Sequence, residues 1–196
     1  MTHSKKSTFK TIVTMSIIVC LIFGAFVYFS NRKDADHSEI AVEQTEVEKL
    51  LSKDTTDKYP PTAREVIKRY SRILKCIHGE KLSETEIKSL GEVILNLYSE
   101  ELLANNPHDE YMESLLEEVK EYHDLKKEVV SYAIDSGNNV VTWTMDGVEY
   151  SRILATYTIK EGSSYNKTCE EFVLKKNQDD QWKILGWRLA DKEDMK

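Results

Sequence analysis

The spacing of apolar residues changes twice along the chain, and each change predicts a different kind of structure. Residues 11–29 form an apolar run without a charged side chain. From residue 62 to about residue 127, apolar positions recur every three or four residues, which is the period of an amphipathic helix. From there to residue 190 the period falls to two, which is the period of a half-buried strand. The pattern predicts a membrane-length segment, then helices, then a sheet.

The apolar run from Thr11 to Phe29 has the length of a transmembrane helix. At about 1.5 Å per residue it extends about 28 Å, close to the thickness of a hydrocarbon core. Three lysines precede it and acidic residues follow from position 34, which favours a cytoplasmic N-terminus and an extracytoplasmic body. Signal peptidase requires two small side chains at the −3 and −1 positions, but Ala25 follows Phe23 and Ser30 follows Tyr28 at that spacing. We therefore expect an uncleaved, single-pass anchor in the cell membrane rather than a signal peptide.

The rest of the chain is expected to consist of a stalk, a folded domain and a short tail. Leu50 and Leu51 indicate one short amphipathic helix within the stalk, and Pro60 and Pro61 end it because proline cannot continue a helix. The predicted parts are a cytoplasmic tail at 1–10, a transmembrane helix at 11–29, a stalk at 30–61, a domain at 62–190 and a C-terminal tail at 191–196.

Three helices are predicted in the first half of the domain. Ser83 with Glu86 forms a capping-box pattern at the start of the second helix, and Thr62 with Glu65 forms one before the first. The second helix is expected to continue to residue 104, and Pro107 suits the first position of the third. The expected buried positions are Val66, Ile67, Tyr70, Ile73, Leu74 and Ile77, then Ile87, Leu90, Ile94, Leu97 and Tyr98, then Tyr111, Leu115, Leu116, Val119 and Tyr122.

Five strands are predicted in the second half of the domain. Asp146-Gly147, residues 162–164 and residues 177–180 have the composition of tight turns, so the strands form an antiparallel meander. Helices followed by strands give an α+β domain with the helices on one face of the sheet. The expected strands are 128–135, 140–145, 149–160, 165–176 and 181–190.

Charge separates the N-terminal segment from the body. The chain of 196 residues has a net charge of −7, yet residues 1–33 contain five basic and no acidic side chains. The remainder therefore holds 22 basic against 34 acidic residues, a net charge of −12. A body this acidic repels phosphate, which argues against a nucleic-acid partner.

The last predicted strand carries a short motif, Asp180-Gln181-Trp182-Lys183-Ile184-Leu185-Gly186-Trp187. With helices before a sheet that ends in this way, residues 62–190 resemble the NTF2-like (SnoaL-like, cystatin-like) superfamily. The whole chain also resembles a group of small bacterial proteins that join a membrane anchor to such a domain. The resemblance implies a curved, cone-shaped sheet with a pocket between it and the helices, and dimerisation through the opposite sheet face.

The pocket that the resemblance implies has three candidate lining residues. Tyr70, Tyr98 and Tyr157 are the side chains that could point into such a pocket. The alternative is that they are core residues with satisfied hydroxyl groups, which is the usual role of tyrosine at an apolar helical position. Glu170 and Glu171 are assigned to cross-strand ion pairs, since Lys167 and Lys175 flank them.

The outer sheet face is expected to be apolar. In the last strand, Trp182 and Ile184 alternate with Leu185, Trp187 and Leu189, so the latter three are expected on the outer face as a candidate interface. A homodimer or another partner would cover this patch. The alternative is that the stalk helix covers it within one chain.

Few residues in the sequence indicate reaction chemistry. Nucleotide-binding glycine loops and nucleophile elbows are absent, and the five histidines form no pair at metal-ligand spacing. We therefore predict no catalytic, cofactor-binding or metal-binding residue. Cys76 and Cys169 lie on elements that pack together, so they form either a disulfide or, as we favour, two buried thiols.

These features predict a membrane-tethered, extracytoplasmic binding or assembly module without catalytic activity. One alternative is a small-molecule-binding protein or enzyme that uses the cone pocket. Another is an inner-membrane scaffold of the type IV secretion kind, which also joins an N-terminal membrane helix to an NTF2-like domain.

Overall fold

The computed structural model describes residues 45–56 and 59–190. No helix in these described residues is long and apolar enough to span a membrane. The predicted cytoplasmic tail and transmembrane segment, about half of the stalk and the C-terminal tail at 191–196 lie outside the described residues.

The described chain is an α+β domain in which five α-helices precede five β-strands, as the change of period predicts. The strands agree with the predicted ones to within about one residue at each end. The helices are α1 (Glu46–Thr56), α2 (Ala63–Gly79), α3 (Glu84–Leu95), α4 (Glu100–Ala104) and α5 (His108–Asp124), and the strands are β1 (Lys127–Ile134), β2 (Val141–Met145), β3 (Val148–Glu161), β4 (Ser164–Lys176) and β5 (Trp182–Leu189).

Side-chain caps set the starts of the two long N-terminal helices. Thr62 accepts a hydrogen bond from the backbone N–H of Glu65 at the start of α2. At the start of α3, the backbone N–H of Ser83 donates to Glu86 Oε2 at 2.8 Å, and the N–H of Glu86 donates to Ser83 Oγ. Because each cap satisfies a backbone donor that a helix end leaves free, the predicted starts are confirmed.

The second predicted helix is interrupted, which the apolar period does not reveal. Helix α3 ends at Leu95, and the backbone then runs beside β5, where the N–H of Ile184 donates to Leu97 O at 2.8 Å and the N–H of Ser99 donates to Ile184 O at 2.9 Å. Ser99 also caps the short α4. Leu97 and Tyr98 are buried here, as they would be in a continuous helix. The apolar period therefore does not distinguish a continuous helix from the observed interruption.

Helix α1 is part of the compact body although its sequence lies in the predicted stalk. Val47 and Leu50 are 3% and 2% exposed within the hydrophobic core, and the helix packs against α2 and α3. Arg72 of α2 forms an ion pair with Glu46. The stalk helix therefore covers helices, not the outer sheet face, and the body extends before residue 62.

Strands β2 to β5 form the predicted antiparallel meander. Strands β1 and β2 both pair with the same edge of β3 and follow one another along it. Strand β1 pairs with the C-terminal half of β3 and β2 with its N-terminal half. The β2–β3 turn is Asp146-Gly147, with φ of +52° and +80°, the backbone that a tight hairpin requires. Helix α2 packs across the inner sheet face against β1, β3 and β5.

A β-bulge in β5 changes the direction of its side chains. Val173 of β4 pairs with Gly186 and Leu174 pairs with Ile184, which leaves Leu185 without an opposite residue. One extra residue in a strand shifts its alternation by one position. As a result, Ile184 and Trp187 both point towards the helices, whereas regular alternation predicts opposite faces.

Candidate functional site

A cavity of about 440 Å³ lies between α2, α5 and the inner face of the sheet. Helical spacing positions its wall on α2, since Tyr70, Leu74 and His78 are four residues apart and share one face. Helix α5 contributes Tyr111, Ser114, Leu115, Glu118 and Tyr122, the sheet contributes Val129, Tyr157, Ile159, Thr168, Glu170 and Trp187, and the segments that flank α4 contribute Tyr98 and Asn106.

Aromatic rings form one side of the cavity. The ring centroids of Tyr70 and Tyr98 are 6.4 Å apart, and the Trp187 ring lies 5.9 Å from each of them. Phe172 is fully buried behind them, stacked on Trp187 at 5.9 Å. The bulge in β5 is what brings Trp187 into this cluster.

The tyrosine hydroxyl groups in the cavity are held protonated. Burial raises the pKa of Tyr98 to about 12, and it raises the pKa of Tyr70, Tyr111 and Tyr157 above the ordinary tyrosine range. Ser71 Oγ and Tyr157 Oη are 2.8 Å apart in a buried hydrogen bond. These hydroxyl groups remain neutral polar groups at physiological pH.

Two carboxylates belong to the same cavity. Burial, and then the charge of Glu118, raise the pKa of Glu170 to about 6. Burial, and then the charge of Glu121, raise the pKa of Glu118, whose side chain is 53% exposed at the cavity mouth. Within the described part of the chain, no group of three or more His, Cys, Asp or Glu side chains has a metal-binding arrangement.

His78 lies in the C-terminal turn of α2, and its side chain is 3% exposed. Its Nε2 atom is 3.4 Å from Glu118 Oε1, and its ring centroid is 4.3 Å from that of Tyr122. Burial, and then His123, lower its pKa to about 4, so the imidazole is neutral at physiological pH. Its Nδ1 atom is buried and has no hydrogen-bond partner in the described residues. Such an unpaired atom costs about 1–3 kcal/mol, which makes it an unusual feature of a folded domain.

Comparison with known proteins gives one family. DUF6715, a domain of unknown function, matches residues 1–187. The chain belongs to the DUF6715 family. No curated protein matches the sequence. The match includes the apolar N-terminal run as well as the folded part of this DUF6715 chain.

The three predicted pocket tyrosines do meet in the DUF6715 cavity. Tyr70, Tyr98 and Tyr157 all line it, and all three are also at least 96% buried, so they serve the core and the cavity together. His78, Glu118 and Glu170 also line the cavity, and the sequence pattern did not predict them there. The available signals were the spacing of His78 from Tyr70 on α2 and the two-residue spacing that puts Glu170 on the same face of β4 as Phe172.

The two neighbouring glutamates of β4 have different roles. Glu171 forms the predicted cross-strand ion pairs, but its partners are Arg152 at 3.4 Å and Arg188 at 3.1 Å, not the flanking lysines. Glu170 points to the opposite face, into the cavity, so its assignment to an ion pair is corrected. Because successive side chains of a strand alternate, only one of the two could join the outer cluster.

The candidate interface of Leu185, Trp187 and Leu189 is not a patch on the outer sheet face. Trp187 is 41% exposed but contacts Tyr70, Tyr98 and Phe172 on the inner side, and Leu185 is the unpaired residue of the bulge. Leu189 is 68% exposed at the end of β5. The outer face of β3 to β5 carries the charged cluster around Glu171 instead.

Cys76 and Cys169 are both free thiols. Burial, and then nearby glutamates, raise the pKa of Cys76 to about 12, so its thiol is unreactive at physiological pH.

A larger groove of about 870 Å³ lies between α4 and the β2–β3 and β4–β5 turns. Three lysines line it, and the ammonium group of each has a partner: Lys175 pairs with Glu101, Lys176 pairs with Glu149 and Asp180, and Lys183 donates to the backbone oxygen of Asn96. We therefore regard the smaller cavity as the stronger candidate site, because it contains the buried and unpaired Nδ1 atom of His78.

Proposed function

We propose that the DUF6715 chain is a membrane-tethered binding protein whose ligand occupies the cavity between α2, α5 and the sheet. The observation that carries the proposal is the content of this one cavity: two carboxylates with raised pKa values and a buried, unpaired histidine nitrogen, all beside a wall of aromatic rings. Binding sites have this composition, with mostly apolar walls and a few convergent polar groups.

The energetics support a ligand rather than a structural role for these polar groups. Burying a polar group without a partner is unfavourable, and buried groups with perturbed pKa values concentrate at functional sites. In the same domain, Glu171 shows how a buried carboxylate is stabilised when it is structural, because two arginines surround it.

The proposal includes an NTF2-like fold for the domain. It is supported by the order of helices before the sheet, by the meander, and by a cavity between α2 and the inner sheet face. It also includes the anchor at residues 11–29, with the binding domain on the extracytoplasmic side and without a catalytic step. The support for this part is the uncharged run and its flanking charges.

An acid–base enzyme is the second candidate function. It is favoured by the pKa of Glu170 near 6, since groups that titrate near physiological pH transfer protons efficiently. Chemical conversion of a bound compound by the wild type, but not by Glu170→Gln, would select this function over simple binding.

The cavity is tested by filling it. Ser114 lines the cavity from α5, so the ring in Ser114→Phe should occupy part of the space. Ser89→Phe on α3 is the matched control, because Ser89 lies away from the cavity. Ligand-observed NMR with a fragment library of cationic, neutral and anionic compounds would be carried out on full-length protein in detergent micelles.

We expect fragments that bind to the wild type and to Ser89→Phe but lose at least tenfold in affinity with Ser114→Phe. Thermal unfolding of each variant verifies that it is folded. If no fragment of any charge binds, or if Ser114→Phe binds the same fragments equally well, the proposed function is wrong.

A further inference from the structure

We infer that the ligand of this cavity carries a positive charge, as an organic ammonium group that sits against the aromatic rings beside Glu118 and Glu170. This inference rests on the proposed function and adds the chemical class of the ligand.

The charges around the cavity all have one sign. Glu118 and Glu170 are the carboxylates that line it, and none of the described lining residues is a lysine or an arginine. The arginines nearest in the sheet, Arg152 and Arg188, lie on the outer face with Glu171. In the described part of the chain, the carboxylate of Glu170 has neither an ion-pair partner nor a hydrogen-bond partner. An entering cation would supply the missing counter-charge, whereas an anion would be repelled.

The aromatic wall fits the same ligand class. The faces of tyrosine and tryptophan rings attract a cation that lies within about 6 Å of the ring centroid. Tyr70, Tyr98 and Trp187 have centroids 5.9–6.4 Å apart, so one alkylammonium group can approach more than one ring. Their apolar surface also suits the alkyl groups of an organic cation better than it suits a hydrated metal ion.

The geometry predicts that binding is coupled to proton release. Glu118 faces Glu170 from α5, Glu121 acts on Glu118 from the same helix, and His78 faces Glu118 from α2 as a neutral imidazole. Burial, and then the charge of Glu118, hold the pKa of Glu170 at about 6 in the free protein. A bound cation stabilises the ionised form and lowers this pKa, so the affinity should fall as the pH decreases through about 6.

The test compares two probes of nearly equal shape and different charge. Choline carries a trimethylammonium group, and 3,3-dimethylbutan-1-ol replaces its nitrogen with carbon. Both are titrated calorimetrically into full-length protein at pH 8. We expect choline to bind at least tenfold more tightly, which corresponds to about 1.4 kcal/mol.

Variants identify the site of the probe. Glu170→Gln and Glu118→Gln should each weaken choline binding at least fivefold and leave the affinity for the neutral alcohol unchanged. Glu117→Gln is the matched control, because Glu117 is exposed on α5 and does not line the cavity. Repeating the titration at pH 5.5 should weaken choline binding to the wild type but not to Glu170→Gln.

Three results would overturn the inference and leave the proposed function standing. The first is equal affinity of the wild type for the two probes. The second is the absence of detectable choline binding at 10 mM while neutral or anionic fragments bind to the cavity. The third is a choline affinity that neither Glu170→Gln nor Glu118→Gln changes. Failure of every fragment in the cavity-filling experiment would instead overturn the proposed function itself.

Discussion

Glu170 is ionised at neutral pH at a cost to the stability of the fold. Its pKa is about 6 in the folded protein and about 4.5 in the unfolded chain. Above pH 6 the charge is less favourable in the folded state, so it lowers the free energy of unfolding. As the pH falls from 6 to 4.5, the folded state takes up the proton first and the destabilising effect disappears.

Glu170→Gln should therefore stabilise the protein at neutral pH while it weakens cation binding. We expect the free energy of unfolding in urea to increase by about 1 kcal/mol at pH 7.5. The difference between variant and wild type should vanish below about pH 4.5. His78 acts in the opposite direction, because its lowered pKa makes the folded protein less stable as the pH falls from 6.5 to 4. Both proteins contain His78, so the difference in unfolding free energy between variant and wild type reports on Glu170. Lower stability of the variant at pH 7.5 would contradict the assignment.

Gly91 permits the close approach of α3 and α5. A Cβ atom at this position would lie 2.8 Å from Met112 Sδ and 3.0 Å from Leu115 Cδ2. Gly91→Val should therefore destabilise the protein by about 1–3 kcal/mol in urea unfolding, although valine favours helix more than glycine does. Ser89→Val on the same helix is the control and should cost less than about 0.7 kcal/mol. A Gly91→Val variant as stable as the wild type would mean that α5 is not packed on α3 at this point.

At the scale of elements, the contribution of α1 to stability shows where the folded body begins. Leu50 is 2% exposed between α1 and the helices that it covers, so Leu50→Ala should cost about 2–4 kcal/mol of unfolding free energy. Lys49→Ala, on the neighbouring position of α1, should change the stability by less than about 0.5 kcal/mol. If Leu50→Ala and Lys49→Ala have the same free energy of unfolding, α1 is not packed in the folded body and belongs to the stalk.

Strand positions and turns could be predicted from the sequence because each is encoded locally. The alternation in residues 149–160 and the Asp146-Gly147 turn depend on neighbouring residues alone, and both agree with the structure. The bulge at Leu185 could not be predicted in this way, since it depends on how β5 pairs with β4. That single unpaired residue reversed the predicted direction of Trp187. The end of α3 at Leu95 has the same kind of cause, a backbone pairing with β5.

The cavity could be predicted only in part for a related reason. Tyr70, Tyr98 and Tyr157 were found because large polar-tipped rings at apolar positions are conspicuous. Glu118 and Glu170 were not found, because a glutamate on a helix or strand has the same sequence pattern whether it faces solvent or a cavity. Their significance depends on α5 and β4 lining the same cavity, although Glu118 and Glu170 are about fifty residues apart in the chain.

At the scale of the whole molecule, the proposed anchor at residues 11–29 places the proposed binding domain at the membrane. We expect full-length protein to remain in the membrane pellet after extraction with alkaline carbonate, because residues 11–29 suit a bilayer-spanning helix. Deletion of residues 11–29 should release the protein into the supernatant. A C-terminal tag should be cut by protease added outside intact protoplasts. If the full-length protein is found in the supernatant, the prediction of a membrane anchor is wrong. If the tag is protected from the protease, the predicted orientation is wrong.

The bulge in β5 also provides the protein with an optical reporter. The indole of Trp187 is stacked on Phe172 and stands at the edge of the cavity, so its emission should depend on whether water or a guest molecule lies beside it. In a variant with phenylalanine in place of Trp143 and Trp182, the remaining indole signal would follow occupancy directly. A one-residue irregularity in the sheet thereby allows the contents of the cavity to be monitored without any attached label.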